Sequence, residues 1–251
     1  MSEPSQRPAI ASSPISVILF GQALSTETAE ALTAWRHYLD SLGRPCEILL
    51  LHEASPPCDD VTVRSVPYEQ AQGSRIALND AIRAAQYPLL VFSTADKQYR
   101  PADLESMLKL IDKVDLVTGF RAGGPTPFWR VLLDTLFTIF GVVVLGIPPQ
   151  KRVSWLGARG WGRRWVARWL FGVGVIDPEC PFRLARRALF ERLPIQSGGL
   201  FVHVEVLAKA NHMGCLLAEE LVAWSPPPHS ESAAISFGHD ARLVFRDPLF
   251  A

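Results

Sequence analysis

The sequence is poor in cysteine and lacks a cysteine pattern of the kind that binds metal. Its four cysteines are scattered, with no CxxC pair and no cysteine–histidine spacing suited to zinc: Cys46, Cys58, Cys180 and Cys215. We therefore expect no zinc site. Scattered thiols in a chain of this size favour a reducing compartment, the cytoplasm.

The sequence also lacks an excess of charge of either sign. Its 25 Lys and Arg residues balance 25 Asp and Glu residues, so the formal net charge is zero. This balance argues against a general nucleic-acid binder, which needs a positive field over much of its surface. The 251 residues are enough for one large domain or two small ones, with a core that needs no disulfides.

No stretch is both long and apolar enough to predict a membrane span. The apolar stretch 131–147 contains Asp134, is followed by two prolines and is shorter than the roughly 20 residues that a bilayer requires. The first residues, MSEPSQRPAIASSP, lack the basic and apolar regions of a signal peptide. We expect neither a signal peptide nor a transmembrane helix, and a disordered tail over 1–14.

What the sequence does contain is a regular alternation of strand and helix patterns. Short apolar strands are predicted at 15–20, 46–53, 61–67, 87–96 and 114–121, and helices at 25–43, 73–85 and 101–111. This alternation predicts an α/β fold with a mainly parallel sheet flanked by helices. Ligands of such sheets bind beyond the carboxyl ends of the strands, so the polar clusters 52–55, 93–98 and 119–121 should converge on one crevice.

One of these clusters offers oxygen ligands for a metal. Thr94, Asp96 and Gln98 alternate along what we expect to be extended backbone, so their side-chain oxygens can point the same way. Such a set suits Mg²⁺ or Mn²⁺ with ligand phosphates completing the coordination. The alternative is that Asp96 caps the helix that starts near Pro101, and spacing alone favours that alternative.

A basic and aromatic segment stands out in this neutral chain. Six basic residues and no acidic residue lie between Lys151 and Arg168, and four of the seven tryptophans lie within 154–172. Three of these tryptophans recur at helical spacing beside two arginines: Trp161, Arg164, Trp165, Arg168 and Trp169. The segment suits the surface of an anionic membrane. The alternative is that the tryptophans pack internally; the cluster of cations favours the membrane.

Six segments, in order, resemble family 2 glycosyltransferases. STADKQYRPADLESMLKLI resembles the DADGQ-x-x-P-x-D-L metal-binding segment, and EILLLHEAS, GSRIALNDAIRAA and DLVTGFR resemble three further family segments. DPECPFRLARRALFERL and GLFVHVEVLAKANHMGCLLAEELV resemble the dolichyl-phosphate mannose synthase branch. Three segments depart from the family pattern: 20–24 replaces P-x-Y-N-E, 52–55 replaces D-D-G-S, and Thr94 replaces the first Asp of DxD.

The resemblance implies a GT-A fold over 15–224, with an interfacial helical region at 125–172 and an extension at 225–251. It implies transfer of a hexose, with inversion, from a nucleotide-diphosphate sugar of the GDP-mannose or UDP-glucose type to a polyprenyl phosphate. The protein would act from the cytoplasm, peripherally on the inner face of the membrane. A non-catalytic module of the same fold, binding a nucleotide, lipid or protein partner, is the alternative.

The resemblance also assigns roles to individual residues. The expected catalytic residues are Asp96, Arg121 and Arg183, and the expected nucleotide-sugar contacts are Glu53, Ser55, Ala95 and Asp96. Mg²⁺ or Mn²⁺ would be held by Asp96 and Gln98, with weak help from Thr94. The acceptor phosphate would be held by Arg121 and Arg183, at motif positions, and by Arg130 on the adjoining predicted helix.

Overall fold

The computed structural model describes residues 10–21, 26–53, 63–68, 73–121, 171–197, 201–225 and 241–249. Seven strands and five helices are defined in these ranges. They are β1 Ile15–Phe20, α1 Thr26–Ser41, β2 Cys46–Glu53, β3 Val63–Tyr68, α2 Gly73–Ala84, β4 Leu89–Thr94, α3 Leu104–Leu110, β5 Leu116–Arg121, β6 Arg183–Arg186, α4 Arg187–Glu191, α5 Val202–His212 and β7 Leu217–Val222. A short 3₁₀ turn, Pro101–Asp103, precedes α3, and residues 241–246 are helical.

The seven strands form one sheet in the order β3-β2-β1-β4-β6-β5-β7. Every neighbouring pair is parallel except the two that involve β6, which runs antiparallel to both β4 and β5. The prediction of an α/β fold with a mainly parallel sheet is therefore confirmed. The strands β1, β2 and β4 are mainly apolar because both faces of the sheet are covered.

A separate apolar core lies on each face of the sheet. On one face, α1 and α3 pack Trp35 and Met107 against strand residues such as Val91. On the other face, α2 and α5 pack Leu78 and Leu207 against residues such as Phe92. Helices on both faces leave the carboxyl ends of the strands as the place where a ligand can approach.

The second core also contains a buried ion pair. Glu205 and Lys209, one turn apart on α5, have side chains that are 0% and 2% exposed, and Glu205 Oε1 lies 2.7 Å from Lys209 Nζ. Glu205 also accepts hydrogen bonds from the backbone N–H groups of Gln196 and Ser197. The pair therefore secures the chain between α4 and α5.

The chain is already folded before β1. Residues 10–14 belong to the predicted disordered tail, but Ile10 and Ala11 donate their backbone N–H groups to Asp112 Oδ1 at 2.6 and 2.8 Å. These contacts lower the pKa of Asp112, because they favour its charged form. The rest of the predicted tail lies outside the described residues. Within the described residues, no helix has the length and apolar character needed to cross a membrane.

Candidate functional site at the carboxyl edge of the sheet

Strand register brings several predicted residues to one edge of the sheet. Phe20 at the end of β1 is level with Thr94 at the end of β4. Because β6 is antiparallel, its first residue, Arg183, is level with Phe92 of β4 and Thr118 of β5. The clusters at 93–98 and 119–121 therefore share one edge, and Arg183 joins them from the following segment.

The turn after β4 has a different backbone from the one that we expected. β4 ends at Thr94 and residues 95–98 form a bend, so Asp96 and Gln98 do not alternate along an extended strand. Lys97 between them has φ 56°, in the left-handed region that residues other than glycine rarely adopt. Such backbone strain is typical of functional sites.

Asp96 and Gln98 nevertheless come together. The backbone N–H of Gln98 donates to Asp96 Oδ1 at 3.3 Å, and its side-chain amide donates to Asp96 Oδ2. The N-cap of the helical turn at Pro101–Asp103 is Arg100, and no side chain donates or accepts a capping hydrogen bond there. Asp96 therefore does not cap the helix near Pro101. The helix-cap interpretation of Asp96 is therefore wrong.

A segment from the far end of the sheet supports this turn. Trp224 Nε1 donates to Gln98 Oε1 at 3.2 Å, and the backbone N–H of Ser225 donates to the carbonyl of Gln98 at 3.0 Å. Tyr99 and Trp224 form an isolated antiparallel bridge, and Ala223 N–H donates to Asp103 Oδ2 at 2.7 Å. Residues 223–225 therefore form one side of the Asp96 turn.

Arg121, at the end of β5, forms a buried ion pair that we did not predict. Its Nε and Nη2 lie 2.6 and 2.9 Å from Asp177 Oδ2 and Oδ1, a bidentate arrangement. Arg121 is 8% exposed and Asp177 is 0% exposed. Burial by itself lowers the pKa of Arg121, but the hydrogen bonds and charge of Asp177 outweigh it and the pKa is raised. Arg121 therefore stays charged, and the negative charge of Asp177 balances its positive charge.

Arg183 is buried in a different way. It is 3% exposed, and its Nη1 and Nη2 donate to the carbonyls of His203 and Pro178, both at 2.7 Å. Its Nε is buried and has no hydrogen-bond partner among the described residues. No carboxylate of the described residues forms an ion pair with Arg183. Burial lowers the pKa of Arg183 to about 10. The positive charge of Arg183 is therefore less well compensated than that of Arg121.

A small cavity adjoins Arg183. Its volume is about 20 Å³, and Phe20, Phe92, Phe190 and His203 contribute to its wall. That volume holds about one water molecule. The His203 ring packs edge-on against Phe20 with centroids 6.2 Å apart. Burial, then the charges of Arg183 and Arg121, hold the pKa of His203 well below its ordinary value of 6.5, so the imidazole is neutral at pH 7.

The packing between β5 and the segment before β6 is tight. A Cβ on Gly119 would lie 3.0 Å from Cys180 Sγ, Phe182 O and Val222 Cγ2, so the two segments can approach only because the residue is glycine. Tyr99 stacks on Phe182 with centroids 5.5 Å apart. Burial raises the pKa of Cys180 to about 12, so its thiol is unreactive at neutral pH.

The structure shows two site residues that the sequence analysis missed, Asp177 and Trp224. Asp177 is the first residue of the DPECPFR segment and therefore carried a signal, although its partner could not be assigned from spacing. Trp224 carried none. Several predicted residues lie outside the described ranges: Ser55, Arg130, Trp161, Arg164, Trp165, Arg168, Trp169 and the stretch 131–147. Glu53 is described only as the backbone end of β2.

The described side chains at this edge fit a metal as a single-carboxylate site. Within the described residues, no group of three or more His, Cys, Asp or Glu side chains is placed to hold an ion. Asp96 offers a carboxylate, while the side-chain oxygen of Gln98 already accepts from Trp224. Thr94 Oγ1 is buried with no hydrogen-bond partner in the described chain. Mg²⁺ commonly binds through one or two carboxylates plus substrate phosphates, so Asp96 fits that pattern.

Comparison with known proteins gives one family and one set of structural relatives. The sequence pattern of Glycosyl transferase family 2 matches residues 50–202. None of the curated proteins matches the sequence significantly.

Among solved structures, glucosyl-3-phosphoglycerate synthase from Mycobacterium tuberculosis with UDP superposes with a TM-score of 0.63 and 16% identity, covering 97% of this chain and 84% of that one. The same enzyme with Mn²⁺, UDP-glucose and phosphoglyceric acid gives a TM-score of 0.62 and 17% identity over 98% and 86% of the two chains. These likenesses establish the GT-A type of α/β fold, as expected.

Proposed function

The chain belongs to glycosyl transferase family 2, and on that premise we propose that it transfers a hexose from a nucleotide-diphosphate sugar to a polyprenyl phosphate at a membrane surface, with inversion. The observation that carries the proposal is the convergence on one sheet edge of Asp96 with the cationic side chains Arg121 and Arg183. One carboxylate and buried guanidinium groups suit a reaction between two phosphate-bearing substrates.

We assign the donor to the side of the edge formed by β1, β2 and β4. Glu53 and Ser55 follow β2, and Ala95 follows β4, where its backbone N–H already donates to Phe20 O at 2.8 Å. These positions are the proposed contacts of the nucleotide, of the GDP-mannose or UDP-glucose type. The solved relatives contain UDP or UDP-glucose, which supports a uridine nucleotide as the first to test.

Asp96 is the proposed ligand of Mg²⁺ or Mn²⁺, with Gln98 and Thr94 beside it. A divalent cation at this position would neutralise the negative charge that gathers on the diphosphate as the sugar leaves. The relatives solved with Mn²⁺ and UDP-glucose support the choice of metal. The protein supplies one charged ligand, so we expect metal and nucleotide to bind together, each weakly alone.

The acceptor phosphate is assigned to Arg121, Arg130 and Arg183. A phosphate monoester is already an anion near neutral pH, so this nucleophile needs positioning rather than a general base. Two of these three arginines are described: Arg183 is paired with no carboxylate of the described residues, whereas Arg121 is neutralised by Asp177. The basic and aromatic segment at 161–169 is the proposed contact with anionic lipid on the inner face of the membrane.

A small phosphorylated acid is the second candidate acceptor. It is favoured by the solved relatives, which contain phosphoglyceric acid together with UDP-glucose. Both acceptors present a phosphate to the same arginines, and only the polyprenyl phosphate needs a membrane surface.

The test is transfer of a labelled hexose. The protein is given UDP-glucose or GDP-mannose with Mn²⁺, and either a short polyprenyl phosphate in anionic vesicles or phosphoglyceric acid in solution. We expect transfer to the polyprenyl phosphate. We also expect Asp96→Asn to weaken the Mn²⁺-dependent binding of nucleotide by at least about 10–100-fold, the loss that is typical even for a group that only orients a metal ligand. Asp80→Asn, at an exposed position on α2, is the matched control.

The outcomes separate the alternatives. Transfer only to phosphoglyceric acid would replace the acceptor and leave the donor site standing. No transfer from any nucleotide sugar would refute the proposed enzyme. Nucleotide binding that ignores metal and is unchanged in Asp96→Asn would instead support a non-catalytic binding module.

A further inference from the structure

We propose that Trp224 is a positioning residue that holds the Asp96 carboxylate and the Arg121 guanidinium in a fixed spatial relation. The inference rests on the proposed function, because Asp96 belongs to the donor half of the site and Arg121 to the acceptor half. Trp224 lies 126 residues from Gln98 in sequence and beyond the residues matched by the family pattern.

The indole N–H determines how Asp96 is held. Trp224 Nε1 donates to Gln98 Oε1 at 3.2 Å, which leaves the amide nitrogen of Gln98 to donate to Asp96 Oδ2. The Gln98 backbone N–H donates to Asp96 Oδ1 at 3.3 Å. Both carboxylate oxygens are therefore oriented by Gln98, and Trp224 fixes the orientation of the Gln98 amide. Gln98 then acts on a metal through Asp96 rather than as a ligand of its own.

The face of the same indole contacts the other half of the site. Arg121 Cζ lies 5.6 Å from the centroid of the Trp224 ring, within the range of a cation–π interaction. The same guanidinium is also held by Asp177, whose Oδ2 lies 2.6 Å from Nε. One side chain thus contacts both halves through two different physical interactions, a hydrogen bond and a cation–π contact.

The backbone of Trp224 is secured independently of its side chain. Tyr99 and Trp224 form a backbone bridge, Ser225 N–H donates to Gln98 O at 3.0 Å, and Ala223 N–H donates to Asp103 Oδ2 at 2.7 Å. A side-chain substitution at Trp224 should therefore keep the segment in place. This makes the two interactions of the indole separable by mutation.

The consequence for the reaction concerns geometry. Groups that orient a metal ligand typically change metal affinity 10–100-fold when they are removed. The relative placement of two reacting partners affects the rate of the reaction itself. Loss of the indole N–H should therefore act on metal and donor binding, while loss of the ring face should in addition lower kcat.

The experiment compares Trp224→Phe, Trp224→Leu and Gln98→Leu with Ser225→Ala as the control. Ser225→Ala removes an exposed hydroxyl and keeps the backbone hydrogen bond to Gln98. The measurements are UDP binding as a function of Mn²⁺ concentration, kcat and KM for the donor, and the melting temperature.

We expect Trp224→Phe and Gln98→Leu each to weaken Mn²⁺-dependent UDP binding and raise the donor KM about 10–100-fold, with kcat nearly unchanged. The double variant Trp224→Phe/Gln98→Leu should bind UDP no more weakly than the weaker-binding of the two single variants. The reason is that each single substitution removes the same hydrogen bond, between Trp224 and Gln98. Trp224→Leu should lower kcat as well, and Ser225→Ala should match the wild type.

Wild-type binding constants in Trp224→Phe would overturn the inference, as would additive losses in the double variant. If the wild-type protein binds neither UDP nor GDP with Mn²⁺, the proposed function fails, and hydrogen exchange still tests the coupling. Trp224→Phe should then speed exchange of backbone amides at 96–99 and leave α1 unchanged. Unchanged exchange at 96–99 would overturn the inference independently of activity.

Discussion

Removing Asp177 should destabilise the protein severely, because this carboxylate is the counter-ion of a buried guanidinium. Asp177 is 0% exposed and Arg121 is 8% exposed. Asp177 accepts from Arg121 Nε at 2.6 Å, from Nη2 at 2.9 Å and from the Arg121 backbone N–H at 3.4 Å. Asp177→Ala would remove this carboxylate and leave the charge of Arg121 in the interior beside the Trp224 ring.

The size of the effect follows from the cost of an uncompensated buried charge. Breaking a buried ion pair by removing one partner typically costs about 3–5 kcal/mol. For a chain of 251 residues, each kcal/mol lowers the melting temperature by about 2–4 °C, so we expect a fall of roughly 6–20 °C.

The assay is urea unfolding together with thermal melting. Arg121→Met/Asp177→Leu removes both charges and replaces them with apolar groups, so it should recover most of the lost stability. Glu105→Gln is the control for an exposed pair, since it breaks the contact with Lys109 on the surface of α3, and it should leave the unfolding transition nearly unchanged.

Two results would refute this reasoning. One is an Asp177→Ala variant whose free energy of unfolding stays within about 1 kcal/mol of the wild type, well below the cost of an unpaired buried charge. The other is a double variant as unstable as the single one, which would mean that shape rather than charge compensation is decisive.

Two further predictions concern packing and pH. Gly119→Ala should lower the free energy of unfolding by about 1–3 kcal/mol in urea, because its Cβ would meet three atoms at 3.0 Å. Gly21→Ala, whose nearest contact is 3.4 Å, should cost less, and equal losses would contradict the packing argument. Burial holds the pKa of His203 below 6.5 in the folded state. The stability that neutral His203 contributes is therefore complete above pH 6.5, and it is lost as the pH falls from 6.5 towards the folded-state pKa. His203→Gln should therefore flatten the fall in melting temperature over about pH 7 to 5. The same change at exposed His212 should not, and an unaltered slope in His203→Gln would disprove the assignment.

The sequence by itself determined the elements whose signal is local. β1 and β2 have the predicted bounds, 15–20 and 46–53, because a continuous apolar run buried on both faces marks a strand wherever it is placed. The helices α1 and α2 agree within two residues at each end for the same reason, since their apolar spacing defines one buried face. The α/β class and the position of the polar cluster 93–98 at a strand end followed from these elements.

Only the tertiary structure decided β6. Its four residues, RLAR, include two arginines and have no strand pattern of their own. They are extended because β4 on one side and β5 on the other provide hydrogen-bond partners, both in antiparallel register. That placement buries Arg183 at the carboxyl edge, which no local pattern could have indicated.

The same distinction holds within the site. The sequence indicated that Asp96 and Gln98 act together, because residues two apart in sequence are close in any fold, although we expected extended backbone where the structure has a bend. The partners of Arg121 and Gln98 lie 56 and 126 residues away, so loop closure and strand order alone bring Asp177 and Trp224 to them. Those distant contacts decide which charge is neutralised and how the carboxylate is oriented, because burial makes each unpaired polar group too costly to leave without a partner.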